Sequence, residues 1–321
     1  MSFNTGAIAQ HRNWNLFLGR VSAAPPVTLD RIFTVDIITG AVYFSDDNGV
    51  IWSAGTGALT APVDVTGWGY GAGGLFYLNG QAGAPSDALI YSSDGDAAPF
   101  LSTINTNAIS AMATDGALRM LVVDDNGIPY TSDDGIAWSA GASLFASGLL
   151  CLNYVNDRFA VSTFTNVVRH SANGVAWSTV AIGADGAATF VIVYCAAAGV
   201  WLALPTNYTA QTLGYASSDF VNWNSFAASN QFANVTPFAN GVGAMCAVSS
   251  DGIFYSDDGA SLTLCTGTGG VSFNGIVFNN GEFVASNSDG DIWRSADGIT
   301  FALTDSVGSA PVNPIMLLSP P

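Results

Sequence analysis

Ser45-Asp46-Asp47-Asn48-Gly49-Val50-Ile51-Trp52 is a phrase that returns in shortened form as Ser132-Asp133-Asp134-Gly135-Ile136-Ala137-Trp138. Seven copies are recognisable, and their first serines follow one another at intervals of 39 to 47 residues, a period typical of repeat architectures. The copies begin at Ser45, Ser92, Ser132, Ser171, Ser217, Ser256 and Ser295. The regular spacing predicts that each copy belongs to one small unit of a repetitive fold.

The phrase has the composition of a tight turn between two strands. Its serine and aspartate side chains can bond to turn amides, and its glycine can take a positive φ. A residue such as Tyr43 or Trp293 ends the preceding strand, and the closing Trp or Phe begins the next one. We therefore predict a structural role for Ser45, Asp47, Gly49, Trp52, Ser132, Asp134, Gly135, Trp138, Ser171, Asn173, Gly174, Trp177, Ser217, Asp219, Trp223, Ser256, Asp258, Gly259, Ser295, Asp297, Gly298 and Phe301.

Two further strand-like runs precede each turn. Before the last copy, Ile276-Val277-Phe278 and Glu282-Phe283-Val284-Ala285 flank the turn residues Asn279-Asn280-Gly281. Asn-Gly and Asp-Gly pairs, the strongest short hairpin signal, recur throughout, and no stretch has a helical period. Four short strands per unit, which we call A to D with the phrase between C and D, predict an all-β chain. Seven such units predict a seven-bladed β-propeller of four-stranded antiparallel blades.

The phrase S-x-D-(x)-G-x-x-W resembles the Asp-box, also called the BNR repeat. The resemblance covers about residues 31 to 318 and implies the propeller fold. It implies little about function, because Asp-boxes occur in sialidases, other glycosidases, photosystem assembly factors, sorting receptors and viral surface proteins. In such proteins the boxes are almost always structural turns.

The two ends of the sequence predict how the ring is closed. Only two clear strands precede the first box, whereas Ile315-Met316-Leu317-Leu318 remains after the last one. We expect this C-terminal strand to become strand A of the first blade, which removes two open edges. Residues 31–321 are then the propeller, and residues 1–30 are an N-terminal arm. The arm contains His11, Arg12, Trp14, Phe17 and Arg20.

The charge balance excludes several classes of partner. The chain has 24 acidic and 7 basic residues, a net charge of −17 and no lysine. Phosphate backbones and anionic lipids would repel such a surface, so we predict no nucleic-acid partner. The start of the sequence lacks a signal-peptide pattern. The uncharged run from Ala187 to Pro205 is assigned to a hairpin turning at Ala198-Gly199 rather than to a membrane span.

Catalytic and metal-binding patterns are weak in this sequence. The resemblance to sialidases implies three arginines and a Tyr-Glu pair on the face opposite the boxes, but Arg31, Arg119, Arg158 and Glu282 fall on the box side. Two histidines, His11 and His170, are too few for a His-rich metal site. The runs 46–49 and 124–127 are similar to calcium loops, yet hairpin turns explain them. The four cysteines are predicted to be reduced core thiols.

These observations predict no cofactor and no bound metal. The 23 aspartates leave a glycosidase with a catalytic Asp pair as the enzymatic alternative.

Two unit intervals exceed the common length, and the extra residues indicate candidate binding loops. The excess is assigned to the B–C loops 79–87 and 205–212, which project from the face opposite the boxes. Their amide, hydroxyl and phenol groups suit hydrogen bonding and stacking on sugars; insertion without function is the alternative. The candidate ligand-binding residues are Gln81, Ser86, Asp87, Asn207, Tyr208 and Gln211.

A composition rich in Ala, Gly, Ser, Thr and Asn resembles tail-fibre and receptor-binding proteins of bacteriophages. This resemblance implies a non-enzymatic virion protein, made in the host cytoplasm, that recognises a host-surface glycan or serves in assembly. The N-terminal arm would then contact other virion or tail proteins. The alternatives are the glycosidase-like enzyme acting on surface polysaccharide and a bacterial assembly-factor propeller.

Overall fold

The computed structural model describes the backbone over most of the chain. The described residues are 31–35, 41–47, 50–58, 63–71, 75–82, 88–92, 100–103, 109–115, 119–124, 126–133, 137–145, 149–163, 165–183, 189–206, 213–227, 238–241, 243–249, 251–287, 289–306 and 316–318. The predicted arm, residues 1–30, lies outside them.

The described strands form seven four-stranded sheets. The first sheet contains β1 (Arg31–Val35), β2 (Ala41–Ser45), β3 (Ser53–Ala58) and β28 (Met316–Leu318), and the second contains β4 (Val63–Gly71), β5 (Leu75–Ala82), β6 (Ala88–Ser92) and β7 (Phe100–Thr103). The third contains β8 (Ile109–Thr114), β9 (Met120–Asp124), β10 (Pro129–Ser132) and β11 (Ser139–Ala140), and the fourth contains β12 (Leu149–Val155), β13 (Arg158–Thr163), β14 (Val167–Ser171) and β15 (Ser178–Ala181). The fifth contains β16 (Phe190–Cys195), β17 (Val200–Pro205), β18 (Leu213–Ser217) and β19 (Asn224–Ala227). The sixth contains β20 (Phe238–Asn240), β21 (Met245–Ser249), β22 (Gly252–Ser256) and β23 (Thr263–Leu264), and the seventh contains β24 (Phe273–Asn279), β25 (Glu282–Asn287), β26 (Asp291–Ser295) and β27 (Ala302–Ser306).

Every sheet is a meander of antiparallel neighbours, so the predicted all-β propeller with four-stranded antiparallel blades is confirmed. The A strands β4, β8, β12, β16, β20, β24 and β28 pack against one another in this order and are therefore innermost.

Closure by the C-terminal strand is also confirmed. Strand β28 pairs with β1, which places Leu317 opposite Ile32 and Leu318 opposite Arg31. The first sheet is thus built from both ends of the propeller, and the pairing removes the edge that β1 would otherwise expose.

Among the side chains whose burial the structure describes, burial falls from the inner strands to the outer edge of the blade. The B strands β9, β13, β17, β21 and β25 are almost entirely buried, because each lies between two strands of its sheet and between two neighbouring sheets. Such strands read as continuous apolar runs, for example Met120-Leu121-Val122-Val123. The D strands β15, β19 and β27 are mostly exposed.

The uncharged run near residues 187–205 forms the hairpin β16–β17. Cys195 pairs with Val200, and Gly199 in the turn has a φ of +69°. In the described part of the chain, no helix is long and apolar enough to cross a membrane. The four cysteines are free and buried, as the sequence predicts.

Candidate functional site

The box of the fourth blade illustrates how the recurring phrase builds its turn. Ser171 Oγ donates to Asn173 Oδ1 at 3.1 Å, and Gly174 N donates to Ser171 Oγ at 2.9 Å. The backbone N–H groups of Val175 and Ala176 both donate to Asn173 Oδ1 at 2.9 Å. Trp177 Nε1 closes the turn with a bond to Gly174 O at 3.0 Å. Asn173 Oδ1 therefore accepts three hydrogen bonds, one from Ser171 Oγ and two from backbone N–H groups.

Aspartate makes the same bonds in the other described boxes. Asp297 Oδ1 accepts the N–H groups of Ile299 and Thr300 at 2.8 Å, together with the hydroxyl of Ser295. Equivalent bonds reach Asp47, Asp219 and Asp258. Bonds from the backbone of Thr300 and Ile299 hold the pKa of Asp297 below its usual value. These carboxylates remain ionised at neutral pH, and their oxygens accept hydrogen bonds from N–H groups of their own turns.

The glycine position of the box packs against the preceding blade. A Cβ on Gly259 would meet Val200 and Ala198 of the fifth blade, and one on Gly298 would lie 3.1 Å from Cys246 Sγ of the sixth blade. The thiols of Cys246 and Cys265 donate to Gly298 O at 3.3 and 3.2 Å. Each of these turns is therefore a joint between two blades.

The fifth box departs from the pattern, since Phe220 stands where the other boxes have glycine. Phe220 has a φ of +65°, and its N–H donates to Ser217 Oγ at 2.9 Å, as a glycine would. Its buried ring contacts Trp201 and His170 with centroid separations of 4.9 and 4.6 Å. Aromatic packing thus offsets the strain of a left-handed non-glycine residue.

Gly49, Asp134 and Gly135 lie outside the described residues.

The A–B and C–D turns lie at one end of every sheet because neighbouring strands are antiparallel. We call this end the box face and define it by the described turns 46–47, 50–52, 171–177, 217–223, 256–262 and 295–301. The charged residues at the start of the B strands lie at this end. Arg119 Nε donates to Asp133 at 2.9 Å, and its Nη1 reaches Asn173 O of the next blade at 2.8 Å. Arg294 pairs with Glu282 in the same way within the seventh blade.

His170 belongs to the same set of contacts. Arg158 Nη1 lies 2.6 Å from His170 Nδ1, and the Arg158 guanidinium stands 5.8 Å from the ring centroid of Phe220. Burial lowers the pKa of His170, and the charge of Arg158 lowers it further. A neutral imidazole that accepts a hydrogen bond from arginine holds a turn in place.

The calcium-like run at 124–127 forms a hairpin turn. The buried Asp124 accepts N–H bonds from Asn126 at 3.0 Å and from Ile128 at 2.8 Å. In the seventh blade, Asn287 Oδ1 likewise accepts hydrogen bonds from the backbone N–H groups of Asp289 and Asp291. Among the residues with described positions, no group of three or more His, Cys, Asp or Glu side chains is arranged to hold a metal ion.

The assignment of residues 79–87 to a loop needs correction, because β5 continues through Ala82. Gln81 is a strand residue opposite Asp64; the long strand A before it supplies the pairing partners that extend the hairpin. The loop assigned to residues 205–212 also begins later than predicted. Pro205 is the last residue of β17, and Thr206 N still donates to Thr189 O at 2.9 Å. Ser86, Asp87, Asn207, Tyr208 and Gln211 lie outside the described residues.

The sequence reasoning missed an apolar feature of the box face. Large aliphatic side chains that follow the glycine position are exposed in four boxes; they are Val50, Ile51, Val175, Val221 and Ile299. Their recurrence at one position of the repeat was visible in the sequence, but only the structure establishes that they are exposed.

Comparison with known proteins supports the fold. No protein-family model matches this sequence, and no curated protein matches it. A streptogramin B lyase structure is similar with a TM-score of 0.64 at 7% identity, covering 92% of this chain and 97% of the other. YCF48 bound to a D1 peptide is similar with a TM-score of 0.55 at 12% identity, covering 89% and 88%. AztD from Citrobacter koseri has a TM-score of 0.60 at 11% identity, covering 89% and 98%.

The class that the fold defines is the β-propeller, and the similar structures are members of it. At these identities the likeness concerns the fold alone, since one fold hosts many functions.

Proposed function

We propose that this chain is a non-enzymatic binding and structural propeller of a virus particle, associated with a bacteriophage tail and made in the host cytoplasm. The observation that carries the proposal is the use of charged side chains in the described residues. Arg119, Arg158, Arg294 and their partners tie turns together on the box face. The box carboxylates accept hydrogen bonds from their own turns, which leaves them unsuited to acid–base chemistry.

The proposed glycan-binding surface is the face opposite the boxes. The fifth unit has a long connection there, between β17 and β18, and its residues Asn207, Tyr208 and Gln211 bring uncharged polar groups to it. Such groups bind sugars by hydrogen bonds and stacking without formal charge. Attachment to other virion or tail proteins is assigned to the arm, residues 1–30. A similar propeller, YCF48, binds a D1 peptide, which supports protein partners for this class of fold.

The test replaces Asn207, Tyr208 and Gln211 with alanine, singly and together, in the full chain. We expect unchanged melting and weaker adsorption to host cells or isolated surface glycan for the triple variant. The matched control is Asn224→Ala on the exposed outer strand β19, which should adsorb normally.

Two outcomes would contradict the proposal. Unchanged adsorption by the folded triple variant rejects this loop as the receptor contact. Shortening of the polysaccharide during incubation with the protein rejects the non-enzymatic assignment and favours the glycosidase alternative.

A further inference from the structure

The exposed aliphatic side chains of the box face form a repeated feature. Val50, Ile51, Val175, Val221 and Ile299 are between 41% and 67% exposed. All of them occur within the box turns, where their backbone N–H groups donate to the box Asp or Asn. Single exposed aliphatic residues are ordinary on a protein surface. Their repetition at one position on one face indicates a surface that is covered by another segment.

The same turns also carry negative charge. Hydrogen bonds from the backbone N–H groups of Ala260 and Ser261 hold the pKa of Asp258 below its usual value, and those from Asn222 and Val221 do so for Asp219. In the first, fifth and seventh boxes, ionised carboxylates therefore lie in the same turn as exposed aliphatic side chains. The complementary segment must combine apolar side chains with cationic ones, because a second acidic face would be repelled.

One stretch of this chain has that chemistry. Residues 1–29 contain Arg12, Arg20 and His11 beside Trp14 and Phe17, and no acidic residue precedes Asp30. The other five arginines are isolated in the propeller sequence, at positions 31, 119, 158, 169 and 294.

The point at which this stretch joins the propeller also lies at the box face. Ile32 pairs with the box serine Ser45, so the chain enters β1 beside the turn that carries Val50 and Ile51. A segment tethered at the edge of a complementary surface has a high effective concentration there. A 30-residue segment can extend about 100 Å, which is ample to cross one face of a single domain.

We propose that the N-terminal arm, residues 1–30, docks on the box face of its own chain. Its aromatic residues cover the exposed aliphatic side chains, and its arginines lie near the box carboxylates. This docking concerns the isolated chain. Where the proposed virion role also holds, the docked arm leaves the B–C face free for ligand.

The test places a photo-crosslinking residue, p-benzoylphenylalanine, at position 17 of the full chain. Unlabelled and ¹⁵N-labelled protein are mixed in equal amounts, irradiated and mapped by mass spectrometry. We expect crosslinks within single chains that end in residues 46–52, 171–177, 217–223 or 295–301. Replacing Val175 and Val221 with serine should lower the yield about tenfold, because the variant loses two apolar contacts.

The matched control is Leu213→Ser. Leu213 is 41% exposed, like Ile299, but begins strand β18 at the opposite end of the sheet. This variant should crosslink at the original yield, and all variants should melt normally because the altered side chains are already exposed.

Three results would overturn the proposal: crosslinks that end mainly on the B–C side, crosslinks that join differently labelled chains, or an unchanged yield in the double serine variant. The virion role is tested separately. Normal packaging of a chain that lacks residues 1–30 would reject the arm as the virion anchor and would leave the crosslinking result standing.

Discussion

Replacing Gly259 with alanine tests whether the box turn is a joint between blades. Gly259 has a φ of +64°, a conformation that L-residues other than glycine rarely adopt. A Cβ at this position would overlap Cγ2 of Val200, the first residue of β17, and would lie 3.1 Å from Cβ of Ala198, in the turn between β16 and β17 of the preceding blade. The substitution therefore adds backbone strain and a clash between two sheets.

The two contributions can be separated in magnitude. A left-handed conformation costs an L-residue about 1–2 kcal/mol, and overpacking at a tight contact costs about 1–3 kcal/mol. We expect Gly259→Ala to lower the free energy of unfolding by about 2–5 kcal/mol. The control is Gly270→Ala, where φ is +79° and no atom would lie within 4 Å of the added Cβ. Only the backbone contribution of about 1–2 kcal/mol applies there.

The assay is urea unfolding followed by tryptophan fluorescence, with the midpoint compared at unchanged slope. Adding Val200→Ala to Gly259→Ala should restore part of the loss, because it removes the methyl group that the new Cβ meets. The double-mutant cycle should give a coupling of about 1–3 kcal/mol. Equal losses at Gly259 and Gly270, with no coupling to Val200, would refute the role of the box as an inter-blade joint.

Three further predictions concern the box carboxylates and the closure. Asp297→Ala should lower the free energy of unfolding by about 1–2 kcal/mol, because two backbone N–H groups lose their acceptor. Asp297→Asn should lower it less, since Asn173 accepts the same hydrogen bonds in the fourth box. Urea unfolding measures both variants. Hydrogen bonds lower the folded-state pKa of Asp258 and Asp297, so the stability that they contribute is present above the unfolded value of about 3.9 and is lost as pH falls through the folded value. Asp297→Asn should therefore flatten the dependence of urea stability on pH below about 4, and an unchanged dependence would contradict this. Deletion of residues 312–321 removes β28 and exposes the edge of β1, so calorimetry should find aggregation or loss of cooperative melting; melting at the original temperature would reject the closure.

Much of the fold could be predicted because the relevant signals are local. The hydrogen bonds of a box join Ser171 to residues two and three positions away, so the sequence of the turn suffices to define it. The four-strand unit and the use of 315–318 as a closing strand follow from counting strands between such turns. The B–C connections are harder to predict, since the end of β5 depends on how far β4 extends to pair with it.

The sequence by itself determined the repeat, the turns, the all-β class and the closure by the C-terminal strand, because these depend on short-range hydrogen bonding and period. The tertiary structure alone decided how the boxes join neighbouring blades and which of their residues face water. Phe220 illustrates the reason. Its left-handed backbone is disfavoured locally, and it is held by Trp201 and by His170 of the preceding blade, which are brought together only when whole blades pack.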